Sequence, residues 1–272
     1  VTGQPPPTLP APVVHEVGRG VRVTTLTTGW VRVRTAHRQF AGPDALALPA
    51  ILAGRRWTPW MPVNVFLVEH PERTVLVDTG EAAHRPPGHF GSAGQERFYR
   101  RYLRFDVPPG ADPGRQLRTL GVEPRDVDTV LLTHLHSDHT ANLGLFDRAG
   151  VLVGAGGLSR HPGATHHRLP AGRTRELTAR SATTPLTGDG SLRVVSLPGH
   201  TPGHQGLLVR GDRTVIIAGD VAFDGDQVRC GHPPGIATDR AANRSTQAAL
   251  ARQVRDGATV LLSHAAAPVV AV

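Results

Sequence analysis

An octapeptide, Thr133-His134-Leu135-His136-Ser137-Asp138-His139-Thr140, constrains this chain more than any other stretch. It follows directly on Val130-Leu131-Leu132, a short apolar run that reads as a buried strand. A strand ending in such a cluster delivers imidazole nitrogens and a carboxylate to one point, and those donors suit zinc-like metals. In extended backbone, positions 134, 136 and 138 face the same way. A turn at Asp138-His139 then aims the last pair at a second point nearby. The spacing suits two metal ions sharing one site better than one. The chain has 15 histidines, so a loose surface group could arise by chance. Three of them with an aspartate, straight after an apolar strand, mark a metal site.

The run His134-Leu135-His136-Ser137-Asp138-His139 resembles the HxHxDH signature of the metallo-β-lactamase superfamily. Further polar residues follow in the order that family uses: His200 and His204 in Pro198-Gly199-His200-Thr201-Pro202-Gly203-His204, then Asp220, then His264. The resemblance covers residues 63 to 264 and implies an α/β protein, a four-layer αβ/βα sandwich. Carried onto these positions, it implies that His134, His136 and His200 hold one divalent metal ion. Asp138, His139 and His264 would hold a second, with Asp220 bridging both and zinc the expected metal. Two such ions sit roughly 3.5–4 Å apart and bring a shared water to a pKa of about 7. The implied reaction is attack of a metal-bridging hydroxide on a carbonyl, with Asp138 managing the proton and Asp220 completing the catalytic pair. Asp78, in Asp78-Thr79-Gly80, either orients a ligand histidine or is a turn aspartate at a strand end. His204 is expected beside the ligands rather than among them. His84, His89, His166, His167 and His232 carry no pattern and stay unassigned.

Within the superfamily, an aspartate at position 220 is similar to lactonases, glyoxalase II and phosphodiesterases, and differs from true metallo-β-lactamases. Glyoxalase II carries a helical thiolester-binding domain after its last ligand histidine, and the few residues after His264 leave no room for one. The His200-to-Gln205 run and the N-terminal segment containing tryptophan and methionine are similar to N-acyl homoserine lactone lactonases. One departure stands out. Those enzymes often place a tyrosine three residues after the bridging aspartate, where this chain has Phe223. The expected function is opening of a lactone, of the acyl homoserine lactone quorum-signal type or similar. Other ester, thioester or phosphotriester hydrolysis on the same fold is the alternative, followed by nucleic-acid processing and by a metal-binding scaffold without turnover. Phe223, Trp57, Trp60 and Met61 are the expected substrate contacts.

Composition narrows the partners. The net charge is +8 and the 30 basic residues are all arginine. They are scattered, aromatics make up only 4% of the chain, and a stacking platform for single strands is not supported. A small-molecule substrate is expected, not nucleic acid. No apolar run approaches a membrane span, so no membrane partner is expected either. Cys230 is the sole cysteine and reads as a small packed or incidental thiol, compatible with a cytoplasmic location. A homodimer is left open. Residues 1–12 read as a flexible proline-rich leader and 13–272 as a single domain.

Along the chain, Val21 to Thr27 and Trp30 to Arg34 alternate and read as a hairpin around Gly29. Ala41 to Pro62 is apolar but broken by prolines, and either packs on the core or walls a substrate pocket. Val63 to Glu69 and Thr74 to Val77 form a second hairpin. Its pattern recurs at Leu207 to Val209 and Arg213 to Ile217, each copy ending near an aspartate, Asp78 or Asp220. Gln95 to Phe105 has helical spacing. A helix is expected from Asp112-Pro113 to Gly121, and another from Thr238 to Asp256 with Ala248, Leu250, Ala251 and Val254 inward. Val151 to Val153, Leu192 to Leu197 and Ala258 to Leu262 read as strands, and 154 to 187 as loop-rich.

Overall fold

The recurring hairpin becomes the centre of two sheets. A computed structural model describes residues 4–159, 161, 163–178 and 183–271. Its strands are β1 (Val13–Gly18), β2 (Val21–Val33), β3 (Met61–His70), β4 (Arg73–Val77), β5 (Leu103–Asp106), β6 (Thr129–Leu131), β7 (Gly150–Val153), β8 (Thr174–Glu176), β9 (Thr183–Pro185), β10 (Leu192–Ser196), β11 (Gln205–Arg210), β12 (Thr214–Ile217) and β13 (Thr259–Leu261). Its helices are α1 (Thr35–Arg38), α2 (Ala47–Ala53), α3 (Ala93–Tyr102), α4 (Pro113–Thr119), α5 (Ser137–Thr140), α6 (Gly225–Cys230) and α7 (Arg240–Arg255). The first sheet runs β1-β2-β3-β4-β6-β7-β8, with β5 joined to β2; the second runs β13-β12-β11-β10-β9.

The repeat is visible in the pairing. The hairpin β3–β4 is followed by β6 parallel to β4, and the hairpin β11–β12 by β13 parallel to β12. Each half thus ends a central strand beside a parallel neighbour, which gathers strand-end side chains at one edge. Alternation on these strands supplies a shared core: Phe66, Val68, Val75, Val77 and Leu131 meet Leu207, Val209, Val215, Ile217 and Leu261. The outer face of the first sheet packs Leu67, Leu76 and Val130 against Leu117, Leu135 and Phe146. That of the second packs Leu208, Ile216 and Val260 against Val228, Leu250 and Val254. Three cores separate four layers, the αβ/βα sandwich that the resemblance implied.

Three expectations need correcting. Val21 to Arg34 is not a hairpin but one long strand. Thr27 pairs with Asn64 and Trp30 with Pro62, so both halves lie along β3 and Gly29 forms a bulge between them. The helix at 93–102 stops before Phe105, because Leu103 to Asp106 pairs with Val33 to Trp30. Helix α7 buries Asn243, Thr246 and Gln247 along with Leu250 and Val254, while Ala248 faces solvent. Its caps and those of α3 and α4 follow ordinary chemistry: Asp239, Ser92 and Asp112 accept from Ala242, Gln95 and Arg115. Residues 4–12 contain no regular structure, and Gln4 O accepts from Trp60 Nε1 at 3.1 Å. No helix among the described residues is long and apolar enough to cross a membrane. Cys230 is exposed.

Candidate metal centre

The predicted donors arrive from both sheets. β6 ends at Leu131, and the loop after it carries His134 and His136 into the one-turn helix α5, which holds Asp138 and His139. From the second sheet come His200 after β10, Asp220 after β12 and His264 after β13. Six of the seven are buried, and His136 is half-buried. They fall into the two sets expected, with donor atoms of each set within 4.8 Å of one another: His134, His136 and His200; and Asp138, His139 and His264. A third set, His134, His139 and Asp220, links them. Asp220 Oδ2 stands 3.9 Å from His134 Nε2, 3.6 Å from His200 Nε2 and 3.3 Å from His264 Nε2. Its Oδ1 stands 3.6 Å from His139 Nε2. Asp138 reaches towards His139 at 3.7 Å and His264 at 3.5 Å.

This geometry fits a divalent cation. Two nitrogens on one tetrahedral zinc, each about 2.0–2.1 Å from it, stand about 3.3 Å apart. His200 Nε2 and His136 Nδ1 are 3.3 Å apart. His139 Nε2 and Asp220 Oδ1 are buried with no hydrogen-bond partner, an arrangement that is costly without a ligand. The electrostatics agree. Burial first, and the neighbouring imidazoles second, hold His134 well below its usual pKa and bring His136 to about 3. Burial also lowers His200, so these three present neutral lone pairs. At His139 burial pulls the other way from the net result, because Asp78, Asp220 and Asp138 together hold it well above its usual value. Burial likewise opposes the rise at His264, which Asp220 and Asp138 impose. The carboxylates demand positive charge at the place a cation would sit.

A second ring of groups fixes the donors. Asp78 adopts a left-handed backbone, φ +63°. Its carboxylate accepts from Thr133 N at 2.7 Å, Thr133 Oγ1 at 2.8 Å and His139 Nδ1 at 2.7 Å. That leaves His139 Nε2 facing the centre. His264 Nδ1 donates to Pro62 O at 2.8 Å. His204 donates from Nδ1 to Leu197 O and accepts the Asp220 main-chain N–H at Nε2, 3.2 Å, so it sets the backbone of Asp220 and lies behind the donors. Three further polar residues hold the loops, and of these only Gln205 entered the sequence reading, as the end of the His200-to-Gln205 run. Asn64 grips the His264 loop through Leu262 O and Ala265 O, Gln205 joins the sheets through Leu132 O, and Gln247 of α7 donates to Val221 O. For Asn64, polarity inside the apolar run from Met61 to Val68 was the available signal.

A cavity of about 750 Å³ opens onto the cluster, with His136, Asp138, His200, Asp220 and His264 at its floor. Val31, Val33, Ile51, Leu52, Met61, Leu103 and Phe223 make its apolar wall. Of the expected substrate contacts, Met61 and Phe223 are there, and Phe223 lies edge-on to His264 with ring centroids 5.1 Å apart. Trp57 and Trp60 are not among the lining residues. Their rings lie under arginines: Arg34 lies 3.8 Å from the Trp57 centroid and Arg32 4.6 Å from that of Trp60. The wall instead takes α2 from the proline-broken segment, which therefore serves the pocket. Also lining it are His37, whose pKa burial lowers to about 4, and Tyr99, whose hydroxyl donates to Gly163 O at 3.1 Å.

An αβ/βα sandwich whose two sheets converge buried histidines and aspartates on one edge defines a class of metal-dependent proteins. Residues 58–264 match the family model described as the metallo-beta-lactamase superfamily, and the chain belongs to that superfamily. It is 32% identical over 228 residues to the N-acyl homoserine lactonase AttM of Azorhizobium caulinodans, across 75% of this chain and 82% of that protein. A solved N-acyl homoserine lactone hydrolase, with the product N-hexanoyl-L-homoserine at its catalytic metal center, superposes with a TM-score of 0.72 at 18% identity, over 90% of this chain and 93% of that one. AidC, a dizinc quorum-quenching lactonase, gives 0.64 at 17% identity, over 94% and 90%.

Proposed function

We propose that this chain is a metal-dependent hydrolase that opens a small lactone bearing an apolar acyl chain, of the acyl homoserine lactone kind, with two zinc ions. The observation that carries the reading is the joining of the cavity to the cluster, with an aliphatic wall above a floor of metal donors. The relatives' names support the substrate class. Bound divalent ions supply an acidified water and a Lewis acid for the carbonyl. His134, His136 and His200 would hold one ion, Asp138, His139 and His264 the other, and Asp220 both. The chain's own groups do the rest. The apolar wall seats the acyl chain and excludes water from the floor. Asp138 faces the cavity from beside His264 and can hold the proton that passes to the leaving ring oxygen. Phe223 in the cavity wall offers no hydrogen bond, and the Tyr99 hydroxyl is already engaged with Gly163 O, so neither ring would donate to the substrate carbonyl. We further propose that residues 13–272 work as one domain.

The test is metal analysis of the purified protein joined to a panel of acyl lactones, aryl esters, phosphotriesters and a β-lactam. Two zinc ions per chain and the highest kcat/KM on lactones are expected. Turnover confined to phosphotriesters or the β-lactam would defeat the substrate assignment, and a single ion after zinc supplementation would defeat the paired site.

A further inference from the structure

The cavity opens between two helices that share a pattern the reaction does not use. On α2, Leu48 and Leu52 lie one turn apart at the rim; both line the cavity, yet they are 53% and 46% exposed. Leu46, just before them, is 52% exposed and stands outside the lining. Three exposed leucines within seven residues at a pocket mouth mark a contact surface. Directly after α2 come Arg55 and Arg56, both exposed. Across the mouth α3 repeats the order: Gly94 and Phe98 line the cavity, and exposed Arg101 follows one turn on. The two basic ends meet at Arg34, whose guanidinium donates to Arg55 O at 2.8 Å and Arg101 O at 3.4 Å.

Arg32 and Arg104 lie behind this cluster, on the face of β2 and β5 opposite Val31, Val33 and Leu103 of the cavity wall. They stand opposite one another on β2 and β5, with Trp57 between them at 5.6 Å and 4.8 Å. Like charges placed face to face across two strands are destabilising, so this array is kept against a cost. Among the described residues, Arg32, Arg55, Arg56, Arg101 and Arg104 have no carboxylate within 4.0 Å. Asp44, at the start of the leucine segment, is already taken by Arg240 and Arg244. Glu96 is the sole acid on α3.

From this juxtaposition we infer that the cavity rim is a docking surface for an anionic lipid bilayer: the leucines enter the acyl boundary and Arg55, Arg56 and Arg101, at the ends of α2 and α3, meet the phosphate headgroups. An amphiphilic substrate then passes from the bilayer into the cavity without crossing bulk water. The chain lies on such a surface and does not span it, so no membrane-crossing helix is required. Single-stranded nucleic acid would need open aromatic faces, but arginines cover Trp57 and Trp60. Leucines would gain nothing from it. A second copy of the chain, docked here about a two-fold axis, would bring the same arginines against each other.

The inference is independent of which bond the site cleaves, because binding alone tests it. The full, metal-loaded chain is sedimented with vesicles of phosphatidylcholine and with vesicles containing phosphatidylglycerol. Binding to the anionic vesicles only is expected, weakening as salt is raised. Arg55→Gln and Arg56→Gln should each lower the partition coefficient about fivefold. Leu46→Gln should lower it as well. All three variants should keep wild-type turnover of a water-soluble, short-chain lactone, since none of these residues lines the cavity. Failure to bind, or equal binding to neutral lipid, overturns the inference. So does binding of single-stranded DNA without binding of lipid, or self-association abolished by Leu46→Gln without binding of lipid.

Discussion

Asp78 shows how much of the centre rests on one side chain that touches no substrate. Three donors converge on its carboxylate, and one of them, His139 Nδ1, fixes which nitrogen His139 turns to the cluster. Asn at this position keeps an acceptor for Thr133 N and tolerates the left-handed backbone, so Asp78→Asn isolates the loss of negative charge behind His139. Metal affinity, measured by competition with a chelating dye, is expected to fall 10–100-fold, the usual effect of losing such a partner. An affinity within twofold of wild type would show that Asp78 serves the turn alone. The donors were legible in sequence because they fall just after apolar strands, the first four in one short run after β6 and the others after β10, β12 and β13. Asp78 announced itself in the same way, but its two readings could only be separated by seeing His139 Nδ1 against it. Trp57 and Trp60 were misleading at this scale: large aromatics in an apolar segment look like pocket residues, and nothing in their spacing told that arginines would cover them.

Among elements, β2 decides the shape of the cavity. Gly29, at φ +151°, forms the bulge that lets Trp30 to Val33 pair with β3 on one side and β5 on the other. That second half delivers Val31 and Val33 to the cavity wall. A Cβ at Gly29 would lie 2.8 Å from Asp106 O, a backbone atom that cannot swing away. Gly29→Ala is therefore expected to cost about 1–3 kcal/mol, the range for a strained backbone, seen as a lower urea midpoint at unchanged slope. Because the wall shifts while the metal donors do not, KM should rise more than kcat falls. Wild-type stability together with wild-type KM would refute the role given to the bulge. Alternation along Val21 to Arg34 reported extended chain on both sides of Gly29, and that much was right. It could not report which strand each half joins, since a glycine between alternating runs is equally a turn or a bulge. The β3–β4 and β11–β12 hairpins were legible because their turns are short and their halves equally apolar.

At the scale of the whole molecule, the centre is a clasp between the two sheets. The first contributes His134, His136, Asp138 and His139, and the second His200, Asp220 and His264. Each of the two expected ion sites mixes donors from both, so a bound ion is lost whenever the sheets part. Binding only to the folded chain stabilises it by about 4 kcal/mol when free metal is 1,000 times its dissociation constant. For a chain of this size that corresponds to a rise in Tm on the order of 10 °C. Removing metal with a chelator should lower Tm by that order, and adding zinc back should restore it. His136→Ala and His200→Ala remove donors to the same expected ion from opposite sheets, so each should shrink the zinc-dependent rise by a similar amount. If chelation strips the metal, as elemental analysis would verify, and Tm does not move, the ions are held by one sheet and the clasp does not exist. If only His136→Ala shrinks the rise, His200 faces the ion without binding it, and the division of donors between the sheets must be redrawn.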